Sequence, residues 1–595
     1  MELLESPPDW SPSLSETASC RVIFNGVLYE RRELQEQLAE QLPGEPTDAD
    51  LVGQAYRRWG EDAIARLKGI FAVIIADPGR DLLLSARDPL GIHPLFYAEV
   101  DRALFLSPSI ETLLARADVS KEINRACFVD YLTRRWPANQ ETYFTHVRRV
   151  PPGHIMRVSG NDRRVYRYWN PVPVDGRLEW IPDDEAQERF DLLLEQAVAR
   201  CLLPGPAGIH MSGGLDSSTL AMVASDLGRR HRGVPLCSLS LVYPETGAEE
   251  AARQRSLAAE LGLAQVQLSY EAAVGPGGTF AAGLEMTRSL PAPMTLLWRP
   301  AFQRLALEGR ERGCRVVLAG DGADEWLWEN PIMAVDLMRA LDPVGLYRLW
   351  QVYSRSYHFS RSDAFRIVMW RCGAHRLLPD VYYAAAYRLG ARRLVRERWR
   401  RAALRRAASL PWVAPDPTLR TQVADRLEAS FVREEMEPRP DSYYLRDTRS
   451  RLDSADKWFR EEETFLIGRR SGIPVREPFW DPDLIEFLVR VRPHARSDDG
   501  RAKALVRRPL TRRFPHLGFD GQRKSWIGAA AGSVVERQGR SARQALGRLS
   551  TLVDMGVIDR DQARVFVEDD GANDQFRNSW SWELLNLEAW ARAHA

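Results

Sequence analysis

The stretch Met211-Ser-Gly-Gly-Leu-Asp-Ser-Ser218 decides how this 595-residue chain is read. It follows the apolar run Gly208-Ile-His-Met211 and opens a helical pattern over Ser217 to Leu227, which is a strand–loop–helix context. Gly213 and Gly214 let the backbone curl, and Ser212, Ser217 and Ser218 add hydroxyl donors. A helix start adds unpaired N–H groups and the positive end of its dipole. Such a nest suits a phosphate chain, and Asp216 puts a carboxylate where Mg²⁺ bridging phosphate oxygens needs one. A Ser/Gly-rich turn with a helix cap is the plain alternative. The other common phosphate loop requires a Gly-Lys pair, and the chain contains none.

Outward from this loop the pattern stays regular. A helix over Asp184 to Cys201 precedes it. Strands at Leu236 to Val242, near Val266 to Leu268 and at Arg315 to Ala319 alternate with helices, one over Glu249 to Leu261. Alternation of this kind predicts a parallel, doubly wound sheet. The strand Arg315 to Ala319 runs into Gly320-Asp-Gly-Ala-Asp-Glu325, a loop with two glycines and three acids. Ligands of open α/β sheets gather beyond the carboxyl ends of the strands, so both loops converge there. Asp216 and Asp324 can then share Mg²⁺ while Asp321 faces the reacting centre. Acids capping the next helix are the alternative reading of the second loop.

The region from Cys20 to Trp169 reads differently. Short apolar strands such as Val22-Ile-Phe24, Phe71 to Ala76 and Asp81 to Ser85 are joined by turns. Pro94 to Tyr97 and Ala103 to Leu106 add a further pair, and helices are predicted over Glu33 to Leu42 and Asp48 to Trp59. The fold class expected is α/β and α+β: an N-terminal β-sandwich with helices over 1–180, a Pro/Gly-rich linker, and a doubly wound parallel sheet with a helical extension over 184–595.

Composition excludes several classes. Net charge is +1, from 82 basic and 81 acidic residues, which argues against a coat for nucleic acid. The first residues lack the basic and apolar regions of a signal peptide. No run approaches the roughly 18 apolar residues of a membrane span. Six scattered cysteines without Cys-x-x-Cys read as reduced, mostly buried thiols of a cytoplasmic protein. Lysine is scarce: Lys68, Lys121, Lys457, Lys503 and Lys524 are the five. Each is a compact, tunable point charge that an always-protonated guanidinium does not replace. Lys68 and Lys121 read as structural. Lys457 reads either as a substrate contact or as part of a solvated helix face. An Arg-dense stretch, Arg388 to Arg406, reads as a solvated helix or as a guide for an acidic leader peptide or partner protein.

Ser-Gly-Gly-Leu-Asp-Ser resembles the pyrophosphate loop of ATP pyrophosphatases, which cut ATP between its α and β phosphates. The chain as a whole resembles the asparagine synthetase family. Ser212 to Ser218 and Gly320 to Glu325 match its two ATP-site motifs, and Val475-Arg-Glu-Pro-Phe-Trp-Asp481 is similar to its Arg-x-Pro-Phe-Leu-Asp segment. Lys503 and Lys524 fall where its late lysines lie. The resemblance implies an ATP site formed by Ser212, Gly213, Gly214, Asp216, Ser217, Ser218, Leu239, Ala319 and Gly320, with Mg²⁺ on Asp216 and Asp324. It also implies catalytic roles for Lys524, Lys503 and Asp321. In the first half, Phe24 to Tyr29, Arg66 to Ala72, Ala86 to Gly91 and Pro151 to His154 resemble the family's glutaminase domain.

Departures from the family narrow the expectation. Its glutaminase works with an N-terminal Cys whose own amine is the base, whereas Met1 is followed here by Glu2. The stretch before Phe24 is short, and Asn25-Gly26, similar to the oxyanion-hole pair, is left without a nucleophile. The first domain is therefore expected to be a degenerate glutaminase. An amine on the substrate must then attack the adenylate. In the family's β-lactam and carbapenam synthetases a Tyr stands where this chain has Asp321. Asp321 and the long helical region instead resemble lasso peptide macrolactam synthetases. These act on a linear core peptide after leader removal, alongside a leader peptidase and a leader-binding protein. The alternatives are another glutamine-independent amide synthetase acting on a small amino acid, or a non-catalytic peptide-binding scaffold.

Overall fold

A computed structural model describes residues 12–595 apart from 18, 39–44, 134, 136–139, 174–176, 231–233, 244–246, 379–387, 392–396, 399–400, 402–411, 437–441, 525–533, 535–537, 539–540, 544–545, 547–548 and 569–573. Most of the Arg388 to Arg406 stretch, and the residues that follow Lys524, lie outside the described residues.

Among the described residues, the first half is built from nine strands. β1 (Ser13–Glu16), β2 (Arg21–Leu28), β3 (Gly69–Asp77), β4 (Leu82–Arg87), β8 (His154–Ser159) and β9 (Asp162–Arg167) form an antiparallel sheet in that order. β5 (Phe96–Val100) lies between β6 (Ala103–Ser107) and β7 (Val147–Arg149) in a second sheet. Ala72, Leu95, Tyr97, Val150 and Met156 fill the space between the sheets. The helix Asp48–Trp59 seals the outer face with Leu51, Val52 and Ala55. Thr47 and Asp50 close its first turn as a reciprocal capping box. One short stretch of β2 lies tight against β3. A Cβ on Gly26 would come within 2.0 Å of the Ile70 carbonyl oxygen, and its φ is +137°, so only glycine fits there.

The second half holds an all-parallel sheet. β10 (Ala207–His210) is central, flanked by β11 (Leu236–Val242) and then β12 (Ala264–Ser269) on one side. On the other side lie β13 (Val316–Leu318) and β14 (Val475–Arg476). The three inner strands β10, β11 and β13 are buried, as their near-continuous apolar runs require, while the edge strands β12 and β14 are only partly covered. The sequence expectation of a doubly wound parallel sheet holds. It did not include β14, which is two residues long and too short to carry periodicity. That strand brings the Pro478-Phe-Trp480 turn beside the loop after β13. Beyond Asp324 the chain is mainly helical, as expected. Among the described residues, no helix is long and apolar enough to cross a membrane, and all six cysteines are free thiols.

Candidate functional site

The loop after β10 and the helix Leu215–Arg230 form one self-bonded unit. Ser217 Oγ accepts from the Ser212 N–H (3.1 Å) and lies 3.0 Å from Ser212 Oγ. Gly213 takes φ +81°, a left-handed conformation that favours glycine. Gln254 and Gln522 donate to the carbonyls of Ser212 (3.1 Å) and Gly213 (3.2 Å). The Ser212 and Gly214 amides are taken up by Ser217 Oγ and by Ser212 Oγ (3.3 Å), so the N–H groups at the start of the helix Leu215–Arg230 are the ones an anion would meet. The three serines are not equivalent. Ser212 is open to solvent, Ser217 is nearly covered, and Ser218 is buried with no hydrogen-bond partner for its Oγ among the described residues. A spare buried donor on the first turn is a group that a ligand oxygen would satisfy.

The second loop packs on the first. A Cβ on Gly320 would approach the Ser217 amide nitrogen to 3.2 Å, so glycine lets the two loops touch. Ala319 is buried, and its N–H donates to the Arg476 carbonyl (2.9 Å). Gly322 takes φ +98°, and a Cβ there would lie 2.7 Å from the Trp480 ring. Leu239 stands apart from the other expected site residues. Its carbonyl accepts from Met211 N–H (2.9 Å), but its side chain is buried over Gly208 and Gly309. It therefore shapes the loop's base from the core.

Asp216, Asp324, Lys503 and Lys524 meet at one point. Lys503 Nζ donates to Asp216 Oδ1 at 2.7 Å and lies 2.7 Å from Asp324 Oδ1. Lys524 Nζ lies 3.0 Å from Asp324 Oδ2. Burial pushes the Asp216 carboxyl up, against the pull of Lys503. Burial also opposes ionisation of Asp324, yet the two ammonium groups hold its carboxyl below the ordinary carboxylate range. Lys503 keeps its proton for the same reason: burial works against the charge, but Asp216 and Asp324 together overcome it. The Lys503 backbone is left-handed (φ +63°), a conformation a non-glycine residue adopts at a cost of roughly 1–3 kcal/mol and one common at functional sites.

Hard carboxylate oxygens from two loops converge on a cation here. This donor set fits Mg²⁺, which is held by one or two carboxylates together with substrate phosphates. The ammonium of Lys503 stands where such a cation would balance the two charges.

Sequence reading missed the residues that hold the lysines in place. Ser356, at the end of the helix Pro343–Ser356, receives the Ala502 N–H on its Oγ (2.9 Å) and the Lys524 N–H on its carbonyl (2.9 Å). Arg507 donates to the carbonyls of Ala502 (3.2 Å) and Gln522 (3.2 Å), stapling the two lysine segments together. Both are buried; Ser356 is 146 residues from Ala502 in sequence, whereas Arg507 lies only four residues beyond Lys503, on the first turns of the helix Ala504–Arg513, and nothing in the local pattern marks it as the staple.

Asp321 is exposed at the turn after β13. The surrounding walls remove much of its water, and Glu477 and Glu325 repel its charge, so its carboxyl is pushed up to about 6. Behind it, Lys457 corrects the solvated-face expectation. It is 5% exposed, on the helix Ala455–Ser471, and pairs with Glu461 and with Glu477 (2.8 Å). Its ammonium sits 3.9 Å from the centre of the Trp480 ring, in the range of a cation–π contact. Burial, and the charge of Glu477, push Glu461 up to about 7. Lys68 is structural as expected, bridging Glu30 of the first half (3.4 Å) to Asp483 of the second (3.1 Å).

Among the described residues, the first half contains no comparable constellation. Asn25 Oδ1 lies 3.1 Å from His93 Nε2, and the His93 ring packs on Phe465 of the helix Ala455–Ser471. Burial draws His93 down to about 3, so it is neutral. Arg87 and Arg149, both fully buried, converge on Glu462 of the same helix at 2.9 and 3.0 Å. Cys20 and Cys127 are both buried, and burial pushes the Cys127 thiol up.

Comparison with known proteins agrees with this division. Residues 9–169 match a glutamine amidotransferase domain, and residues 189–592 match asparagine synthase. The chain is 30% identical over 230 residues to the Bacillus subtilis protein named asparagine synthetase [glutamine-hydrolyzing] 3, covering 38% of this chain and 37% of that one. It is 29% identical over 355 residues to amidase chyE of Penicillium rubens, covering 56% and 50%. A third relative, asparagine synthetase [glutamine-hydrolyzing] 1 of Bacillus subtilis, is 27% identical over 312 residues, covering 51% and 46%. The chain thus spans half or less of the length of these curated relatives. The asparagine synthase match takes in more than half of the chain, including both loops and both late lysines. This chain belongs to the asparagine synthase family.

Proposed function

We propose that this chain is an ATP-dependent ligase that adenylates a carboxylate and joins it to an amine, releasing AMP and pyrophosphate. The observation that carries this reading is the convergence of Asp216, Asp324, Lys503 and Lys524 beyond the carboxyl ends of β10 and β13. In the first step a substrate carboxylate oxygen attacks the α-phosphorus of ATP and pyrophosphate leaves. Loop amides and the Ser212 and Ser217 hydroxyls bind phosphate oxygens, and Lys503 and Lys524 stabilise the charge that develops. Asp216 and Asp324 would hold Mg²⁺, which when bound neutralises pyrophosphate as it departs. In the second step an amine nitrogen attacks the acyl carbon, AMP leaves, and Asp321 takes the amine's proton. A carboxyl near 6 is basic enough to accept that proton and still ionised at neutral pH.

The amine belongs, in our reading, to the same substrate molecule. Both cysteines within the amidotransferase match are buried, and Asn25 lies against His93, which supports a glutaminase-like domain that releases no ammonia. The substrate is a linear core peptide freed of its leader. Its Asp or Glu side chain is activated and its N-terminal amine closes a macrolactam. Trp328, whose ring centre lies 5.9 Å from Lys524 Nζ, and Tyr357 packed against it, form an aromatic wall that supports a substrate larger than a free amino acid. Holding amine and acyl carbon together supplies up to roughly 7–11 kcal/mol of the barrier reduction.

The test is incubation with leader-free linear peptides, ATP and Mg²⁺. Loss of one water by mass, abolished by Lys524→Ala, is the expected outcome. ATP–pyrophosphate exchange with aspartate but with no peptide would favour a small-amino-acid synthetase. Absence of exchange with any carboxylate would leave the scaffold reading.

A further inference from the structure

One surface remote from the ligase centre combines exposed aromatic rings with unbalanced positive charge. The helix Arg361–Phe365 continues into Arg366–Ala374, a π-helix of nine residues. Helices closed by i→i+5 hydrogen bonds are rare, and where they occur they often mark functional sites. Such winding brings residues four and five apart onto one face. Phe365, Arg366, Trp370, Arg371 and His375 follow that spacing, and all are exposed. Phe365 is 56% and Trp370 55% exposed, an unusual setting for two large rings on one turn.

The opposite face is packed. Ala364, Val368 and Gly373 are buried, and a Cβ on Gly373 would lie 2.4 Å from Met338 Cε. The winding therefore holds the rings outward. From Arg361 to Leu378 the chain carries four arginines and a single acid, Asp363. Asp363 pairs with Arg366 at 2.9 Å, but across two exposed side chains, so it offsets little. The chain as a whole is close to neutral at +1, so the positive charge here is local.

We propose that this π-helical face docks a separate acidic polypeptide segment carrying a large apolar side chain. The apolar group would seat against Phe365 and Trp370, and its carboxylates would pair with Arg366 and Arg371, whose forked guanidinium donors suit carboxylate oxygens. Nucleic acid fits less well, because the basic residues form one short turn and no extended groove. The face is joined to the ligase centre. The helix Pro343–Ser356 packs against Arg361–Phe365, with Trp350 donating to the Arg361 carbonyl (3.0 Å), and ends at Ser356, which holds both lysine segments. The inference does not depend on the identity of the ligase substrate.

The experiment uses the full chain and fluorescence anisotropy at low and physiological salt. The probes are a labelled Asp/Glu-rich peptide with a central Leu-Phe pair, the same peptide with that pair replaced by Gly-Ser, and a single-stranded RNA of similar length. Expected are binding of the first peptide that weakens with salt, and a loss of about tenfold in Trp370→Ala and in Arg366→Glu/Arg371→Glu. All these side chains are exposed, so the variants should keep the parent thermal midpoint, which is measured alongside. Four outcomes would overturn the proposal: no binding, equal binding of both peptides, binding unchanged in both variants, or RNA bound more tightly than peptide.

Discussion

Lys503 and Lys457 are the same chemical device in two settings. Each is an ammonium largely shielded from water between two carboxylates, Asp216 and Asp324 for one and Glu461 and Glu477 for the other. Lys503 sits on a left-handed residue, against acids carried by two loops, one of them at the start of the helix Leu215–Arg230. Lys457 sits inside a 17-residue helix over the Trp480 ring. On the proposed reading, the first trio would trade partners when a polyphosphate and its cation arrive. The second has no such exchange open to it, so its charges serve the packing and the field around Asp321. Buried charge alone therefore does not mark a reacting centre; access for an exchanging partner does.

The largest predicted effect separates the two trios by activity. Asp216→Ala and Lys524→Ala are expected to lower ATP–pyrophosphate exchange by at least about 10²–10³-fold while the thermal midpoint hardly moves. A midpoint that falls with activity would make the first trio structural.

Lys457→Met should behave in the opposite way. It strands Glu461 and Glu477 in the interior, so unfolding by denaturant should register a loss of about 3–5 kcal/mol. Replacing Lys457, Glu461 and Glu477 together by apolar residues of similar volume should recover most of it. Failure to recover would mean that the trio holds more than its own charges.

The pH dependence sharpens the comparison further. Asp321 is raised in the folded chain from an ordinary value near 3.8 to about 6. Its neutral form is favoured by folding, so its contribution to stability is fully present below about 3.8 and is lost as pH rises through about 6. As a proton acceptor it acts in the opposite sense: amide formation should rise with pH through about 6 and then level. Lys457→Met removes a nearby positive charge that lowers the Asp321 value, so the midpoint of that rise should move upward. Asp321→Asn should abolish the rise while exchange persists. A profile flat between pH 5 and 7 would remove Asp321 from the second step.

The smallest effect belongs to Gly322. Gly322→Ala forces a Cβ toward Trp480 and a left-handed alanine, and should cost about 1–3 kcal/mol. It should also reduce exchange modestly, because Asp321 and Asp324 ride on the same turn. A variant of unchanged stability would show that the Trp480 ring yields.

The strand–loop–helix at Met211 to Ser218, the acid loop after β13 and the alternation around them were legible because each is local: a few consecutive residues state the turn, the charge and the period. The scarcity of lysine drew notice to five positions, since composition is read without a fold, and the resemblance to the family's late lysines singled out Lys503 and Lys524 among them. Lys457 was misread because Asp-Lys-Trp-Phe459 is equally compatible with an exposed or a buried helix face. The turn of Pro478 to Trp480, which follows β14, sets the Trp480 ring over it, a contact no local pattern states.

Sequence by itself determined the phosphate-type loop, the candidate carboxylates and the two-part organisation, because glycine freedom, charge and strand–helix alternation act over short spans. Tertiary structure decided which cation stands between which carboxylates, through contacts such as Lys503 to Asp216, separated by 287 residues. It also decided that Ser356 and Arg507 hold the lysine segments and that Lys457 is sealed. Those outcomes depend on where distant helices end and on how much water their packing excludes, and neither quantity is written in any local pattern.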